Sequence, residues 1–81
     1  MNKVEIRNII ELALKSGNRM PGMFDLPKIM GIKAKLESCS SISDVVGLLE
    51  TNRVLLTKSF GLSDRVFDET IAKLNFLRDM A

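Results

Sequence analysis

The sequence contains no histidine and a single cysteine, Cys39. Histidine is the commonest general base and the usual partner of a serine or cysteine nucleophile, so its absence excludes triad chemistry. One thiol can neither close an intrachain disulfide nor hold a structural zinc ion, which takes four cysteine or histidine ligands. The glycine-rich signatures that bind nucleotide phosphates are also missing. We therefore expect no enzymatic activity, no cofactor and no evident small-molecule ligand.

Long apolar runs are absent too. Charged residues interrupt the N-terminus before a signal-peptide core could form, and no stretch approaches the roughly 20 apolar residues of a membrane span. A lone thiol in a small domain is typical of a reducing compartment, so the sequence predicts a cytoplasmic protein without a membrane partner. The formal net charge of +2 is too small to predict a polyanionic partner by itself.

Aromatic residues are scarce: the chain has four phenylalanines but no tryptophan and no tyrosine. Its core must therefore be built from leucine, isoleucine, valine and methionine, a composition that favours packed helices over sheets. With 81 residues the chain has room for one hydrophobic core, so we expect a single helical domain over residues 1–81.

Capping residues and breakers predict four helices. Asn2, Asp25, either Ser41 or Ser43, and Ser63 are suited to begin them. Glycines and serines close them: the first helix ends at 17–18, the second at 38–41 and the third at 61.

The apolar residues between these signals recur at helical spacing and define one stripe per helix. At the start of the second helix, Phe24 and Ile29 occupy the two positions of a hydrophobic staple. The predicted stripes comprise Ile6, Ile9, Ile10, Ala13 and Leu14; then Leu26, Ile29, Ile32 and Leu36; then Ile42, Val45, Val46, Leu49, Leu56 and Phe60; and finally Phe67, Ile71 and Leu74. The sequence thus predicts an all-α fold, a compact array of four helices in two helical hairpins, either bundle-like or orthogonal.

Arg53 interrupts the third stripe. An arginine on an apolar face either lays its aliphatic stem along the core edge with its head in water, or pairs with a carboxylate. We favour the first interpretation.

The turn Gly61-Leu62-Ser63 lies between two predicted helices, and residues 48–77 around it resemble a helix-turn-helix motif, whose second helix enters the major groove of DNA. Arg65 would be the nucleic-acid contact. It is the only base in the first turns of that helix, where Asp64, Asp68 and Glu69 would repel phosphates. An ordinary helical hairpin explains the same residues, and we favour it.

Some apolar positions remain once the stripes are assigned. Val54, Ala72, Phe76 and Met80 lie away from the core faces of the last two helices. They either pack under the N-terminal helix or fray at the terminus, or they form a surface for self-association or a partner.

The segment 17–24 is the longest predicted loop, and it carries Arg19, Met20, Met23 and Phe24. Loops on rigid scaffolds often carry binding residues, and methionine adapts to varied partners. The alternative is that Met20 or Met23 closes one end of the helical array.

Missing catalytic groups and surplus apolar positions together indicate a non-enzymatic protein-protein interaction or self-association module, which forms a homodimer or docks onto a larger protein. A protein partner is favoured over nucleic acid. The alternative function is a helix-turn-helix-like nucleic-acid-binding domain.

Overall fold

Five α-helices follow one another along residues 1–80, the part of the chain that the computed structural model describes. They are α1 (Lys3–Lys15), α2 (Leu26–Ser38), α3 (Ile42–Thr51), α4 (Arg53–Phe60) and α5 (Asp64–Met80). The all-helical prediction is confirmed, with five helices in place of four. None of these helices has both the length and the apolar character needed to cross a bilayer.

Three of the predicted helix starts are confirmed by their hydrogen bonds. The side-chain oxygens of Asn2, Ser41 and Ser63 accept from backbone N–H groups three residues later, each at 3.1 Å. Each bond satisfies one of the N–H groups that a helix start leaves without a partner. Gly61 ends α4 in the left-handed conformation (φ 66°, ψ 38°), as expected for a glycine C-cap.

The prediction of one continuous third helix is wrong, because the chain breaks between α3 and α4 at Asn52. Asn52 has φ −107° and ψ 18°, values in the sparsely allowed region between helix and strand. Its side-chain N–H donates to the carbonyl of Leu48 at 2.8 Å, and the Thr51 hydroxyl donates to Gly47 at 2.8 Å. Side chains that bond to the preceding turn compete with the backbone and favour a helix end.

The core forms where α5 lies against α1 on one side and α3 on the other. Leu74 of α5 is completely buried, and Val45 of α3 is 1% exposed. The predicted stripe of the last helix is confirmed, since Phe67, Ile71 and Leu74 are all buried. The rest of the buried apolar core comprises Ile6, Ile10, Ile32, Leu49 and Leu56.

The helix α2 is held less closely than the others, with α3 as its main neighbour. Only Ile32 is fully buried, while Ile29 and Leu36 are partly buried against the core. α1 and α2 run antiparallel, because Arg7 near the start of α1 pairs with Glu37 near the end of α2 at 3.0 Å. They enclose an apolar cleft instead of packing closely together as a predicted hairpin would.

Three predictions at the start of α2 are wrong. Asp25 occupies the N-cap position but makes no capping bond. Its carboxylate accepts from the buried hydroxyl of Ser59 on α4 at 3.1 Å instead. Phe24 cannot form a staple with Ile29, because 88% of its surface is exposed, and Leu26 also lies mostly outside the core.

The loop after α1 is anchored on the turn between α4 and α5. The N–H of Arg19 donates to the carbonyl of Phe60 at 3.2 Å. Gly17 lies so close that a Cβ atom there would overlap the same carbonyl. A residue without a side chain is therefore required at this position.

We expect Gly17→Ala to lower the free energy of unfolding by about 1–3 kcal/mol, because its methyl group would overlap a backbone carbonyl that is fixed by the α4 helix end. Gly47→Ala is the matched control, since open space surrounds that glycine on α3. The control should raise the free energy of unfolding by about 0.5–1 kcal/mol. Urea unfolding measures both values, and similar effects at the two positions would contradict the close approach of Gly17 to Phe60.

Candidate functional site

The surface of α2 that faces away from the core is apolar. Hydrogen bonds from the N–H groups of Asp25 and Leu26 to the carbonyl of Gly22, at 3.1 and 3.0 Å, continue the helical turn back before α2 begins. Residues three to four positions apart then share one side of the helix. The exposed residues on the side opposite Ile32 are Met23, Pro27, Met30 and Ala34, which we call the outer face of α2.

Exposure on this face is high for side chains of this size: Met23 is 84% and Met30 is 63% exposed. Phe24 adjoins the face, and the inner side of the same helix carries Ile29 and Ile32. An ordinary surface helix has one apolar stripe and one polar face. Because α2 is apolar on two opposite sides, it has the composition of a helix packed between two neighbours.

Three lysines lie on the flanks of α2, between its inner side and the outer face. Lys28 and Lys35 lie on one flank and Lys33 on the other, and all three are exposed. Within residues 1–80 none of them forms an ion pair. Of the acids nearest in sequence, Glu37 pairs with Arg7, whereas Asp25 accepts from the uncharged hydroxyl of Ser59 and keeps its negative charge. Three lysines are therefore set against one carboxylate without a cationic partner. The outer face of α2 is therefore an apolar surface within a positive field.

The predicted binding loop is exposed as a unit. Met20 is 87% exposed and, like Met23 and Phe24, extends into solvent. The alternative that Met20 or Met23 closes one end of the helical array is therefore wrong. Arg19 is fixed through its backbone by the bond to Phe60.

The structure divides the predicted partner surface into two. Ala72, Phe76 and Met80 are all exposed, and their spacing of four places them along one line of α5. Val54 is exposed as well, but it borders a shallow depression together with Arg19 and Lys58. It therefore belongs with the 17–24 loop. The alternative that these residues pack under α1 is wrong, because their side chains remain open to water.

Arg53 lies at the core edge and pairs with carboxylates. Its guanidinium is 4.4 Å from the centre of the Phe67 ring, close enough for a cation–π contact. It also contacts Asp68 at 2.5 Å, Glu50 at 3.4 Å and Asp64 at 3.6 Å. The hydrogen bond to Asp68 is the main cause that raises the pKa of Arg53 above its ordinary value. Arg53 thus joins the end of α3 and the start of α4 to the first turns of α5. Of the two interpretations of this arginine, the structure shows pairing with carboxylates, so the favoured one, a head group in water, is wrong.

The geometry gives little support to the nucleic-acid alternative. Arg65, the predicted contact, lies 3.1 Å from the carboxylate of Glu69 in its own helix. The helix that would enter the major groove is the one enclosed by α1 and α3, with four buried residues. Its exposed first turns carry Asp64, Asp68 and Glu69, so the local field repels phosphate.

Cys39 lies between α2 and α3, partly buried, and its thiol donates to the carbonyl of Lys35 at 3.3 Å. Burial raises the pKa of this thiol, the charge of Asp44 raises it further, and Lys3 opposes both effects. A raised pKa leaves less thiolate, the nucleophilic form, at neutral pH. The environment of Cys39 is therefore that of a structural cysteine.

Sequence reasoning missed most of the outer face of α2. Met30 and Pro27 do not belong to the predicted stripe of the second helix, and Ala34 carries no distinctive signal. The spacing of four residues from Met23 through Pro27 was available in the sequence. Pro21-Gly22 predicts a turn, so the sequence did not indicate that the helical hydrogen bonding begins at Gly22.

Comparison with models of known protein families, with curated proteins and with solved structures found no match for this chain.

Proposed function

We propose that this chain is a non-enzymatic interaction module that binds a partner protein through the outer face of α2. The observation that supports this is a helix with apolar residues on two opposite sides, of which only the inner side contacts the rest of the fold. Burying apolar surface is the main favourable term in protein association. Covering Met23, Met30 and the neighbouring Phe24 would remove three large exposed side chains from water.

The flanking charges define the chemistry of the partner. Lys28, Lys33 and Lys35 would lie at the rim of the interface, where charges of opposite sign steer association and select the partner. The best complement is an amphipathic helix whose apolar stripe is bordered by Asp or Glu. A second copy of this chain fits poorly, because a two-fold interface would place these lysines against their own copies.

Two designed helical peptides with the same apolar stripe, one flanked by Glu and one by Lys, test this proposal. We expect the Glu-flanked peptide to bind and to bind more weakly as salt rises, because its ion pairs at the rim are screened. The Lys-flanked peptide should not bind. Titration of the isotope-labelled protein, followed by nuclear magnetic resonance, measures both and locates the contact on α2.

Met30→Glu should remove this binding, whereas Met80→Glu, an equally exposed methionine on α5, is the matched control and should leave it unchanged. The proposal is wrong if neither peptide binds or if both variants weaken binding equally. Binding to phosphatidylglycerol vesicles without binding to either peptide would also contradict it, because the partner would then be a lipid surface.

Self-association through α5 is a second candidate function. Ala72, Phe76 and Met80 form a separate exposed line, and Phe76 is 64% exposed. Lys73 and Asp79 border this line, so a two-fold arrangement can place opposite charges against each other. Small domains often gain stability by such burial.

Sedimentation equilibrium tests this second candidate directly. We expect the mass of the purified chain to rise with concentration toward that of a dimer, and Phe76→Glu to keep it monomeric because a buried carboxylate would lack a partner. The matched control Phe24→Glu, on the other surface, should not change the dimerisation. A monomer at all concentrations would exclude self-association and leave the α2 proposal standing.

A further inference from the structure

The cleft between α1 and α2 is apolar and has a volume of about 260 Å³. Its walls carry Ile6, Ile10 and Leu14 from α1 and Ile29, Ile32 and Leu36 from α2. Its floor comes from α3 and α4. Within α1 the lining runs from Lys3 to Leu14, a length of about 17 Å at 1.5 Å per residue. The cleft is therefore elongated, a shape that fits an extended alkyl chain better than a compact ring system.

An apolar space of this size is unfavourable when empty. The free energy lost to a cavity grows with its volume, because the lining side chains lack contacts on one side. A smaller apolar cavity of about 150 Å³ is already sufficient to bind benzene in another protein. A water molecule gains little here, since it needs two to four polar partners and the inner walls supply only hydrocarbon.

Charged side chains occupy only the rim. Arg7 and Glu37 pair across one end of the cleft at 3.0 Å, and Lys3 donates to the carbonyl of Glu37 at 3.2 Å. Near the middle, Glu11 of α1 and Lys33 of α2 line opposite sides of the cleft without pairing. With Arg7 and Glu37 neutralising each other, two lysines remain against one acid, so the rim favours an anionic head group.

We infer that this cleft binds an aliphatic amphiphile with an anionic head, of the class of medium-chain carboxylates. The alkyl chain would lie between α1 and α2 against Ile10 and Ile32, with its carboxylate near Lys33. The alkyl chain would lie on the side of α2 opposite its outer face, and of the residues named for the two sites only Lys33 borders both.

Titration of the full chain with decanoate and with decanol, followed by calorimetry and by methyl resonances, tests the inference. Both molecules should bind and shift the methyl signals of Ile10 and Ile32. Lys33→Glu should lower the affinity for decanoate about fivefold, the fold-change expected from the loss of one exposed ion pair. The affinity for decanol should not change. Lys73→Glu on α5 is the charge control and should change neither affinity.

Variants that fill the cleft provide a second test, in which the melting temperature is measured without ligand. Ile32→Phe should raise the melting temperature and abolish decanol binding, because its larger ring occupies the empty space. If that variant does not fold, Leu14→Phe at the other wall gives the same test, and Leu12→Phe on the exposed side of α1 is the control.

Failure of both ligands to bind, or destabilisation by both filling variants, would show that the cleft is closed in solution and would overturn the inference. If Lys33→Glu lowered the affinities for decanoate and decanol equally, the assignment of an anionic head group would be overturned.

Discussion

The structure depends on the burial of α5 between α1 and α3. Leu74 is completely buried there, and Phe67 and Ile71 extend the same contact along the helix. An 81-residue chain buries a smaller fraction of its surface than a larger domain, so it cannot cover every apolar face it contains. α1, α3 and α4 all pack against α5, and of these helices only α3 also packs closely against α2. The unpartnered outer face of α2 and the cleft on its inner side both follow from this shortage.

How much could be predicted from the sequence depended on the range of the interactions involved. The caps at Asn2, Ser41 and Ser63 are local, because each side chain bonds within three residues of itself. The stripe of the last helix was equally predictable, since one strong periodicity determines it. The break at Asn52 was not predicted because the apolar pattern of the third helix continues across it. The side-chain bonds that end α3 leave no trace in that pattern.

The errors around α2 have a different cause. A capping residue such as Asp25 can be predicted from local sequence, but its bond to Ser59 reaches 34 positions along the chain. The exposure of Phe24 depends in the same way on where the 17–24 loop is anchored, and that anchor is the distant carbonyl of Phe60. The exposed residues of α5 and Val54 could be named from the sequence only as one group of leftover apolar residues. Their division, with Val54 on the side of Arg19, required the three-dimensional arrangement.

Native-state hydrogen exchange is the most direct test of the central claim that α2 is weakly held while α5 is the centre of the fold. Amides of α5 around Leu74 and of α3 around Val45 should exchange only through global unfolding, the opening reaction with the highest free energy. Amides of α2 around Ile32 should exchange roughly tenfold faster or more, through a smaller opening that leaves α5 intact. Equal protection of α2 and α5 in the isolated protein would contradict the account, because α2 would then be a full member of the core.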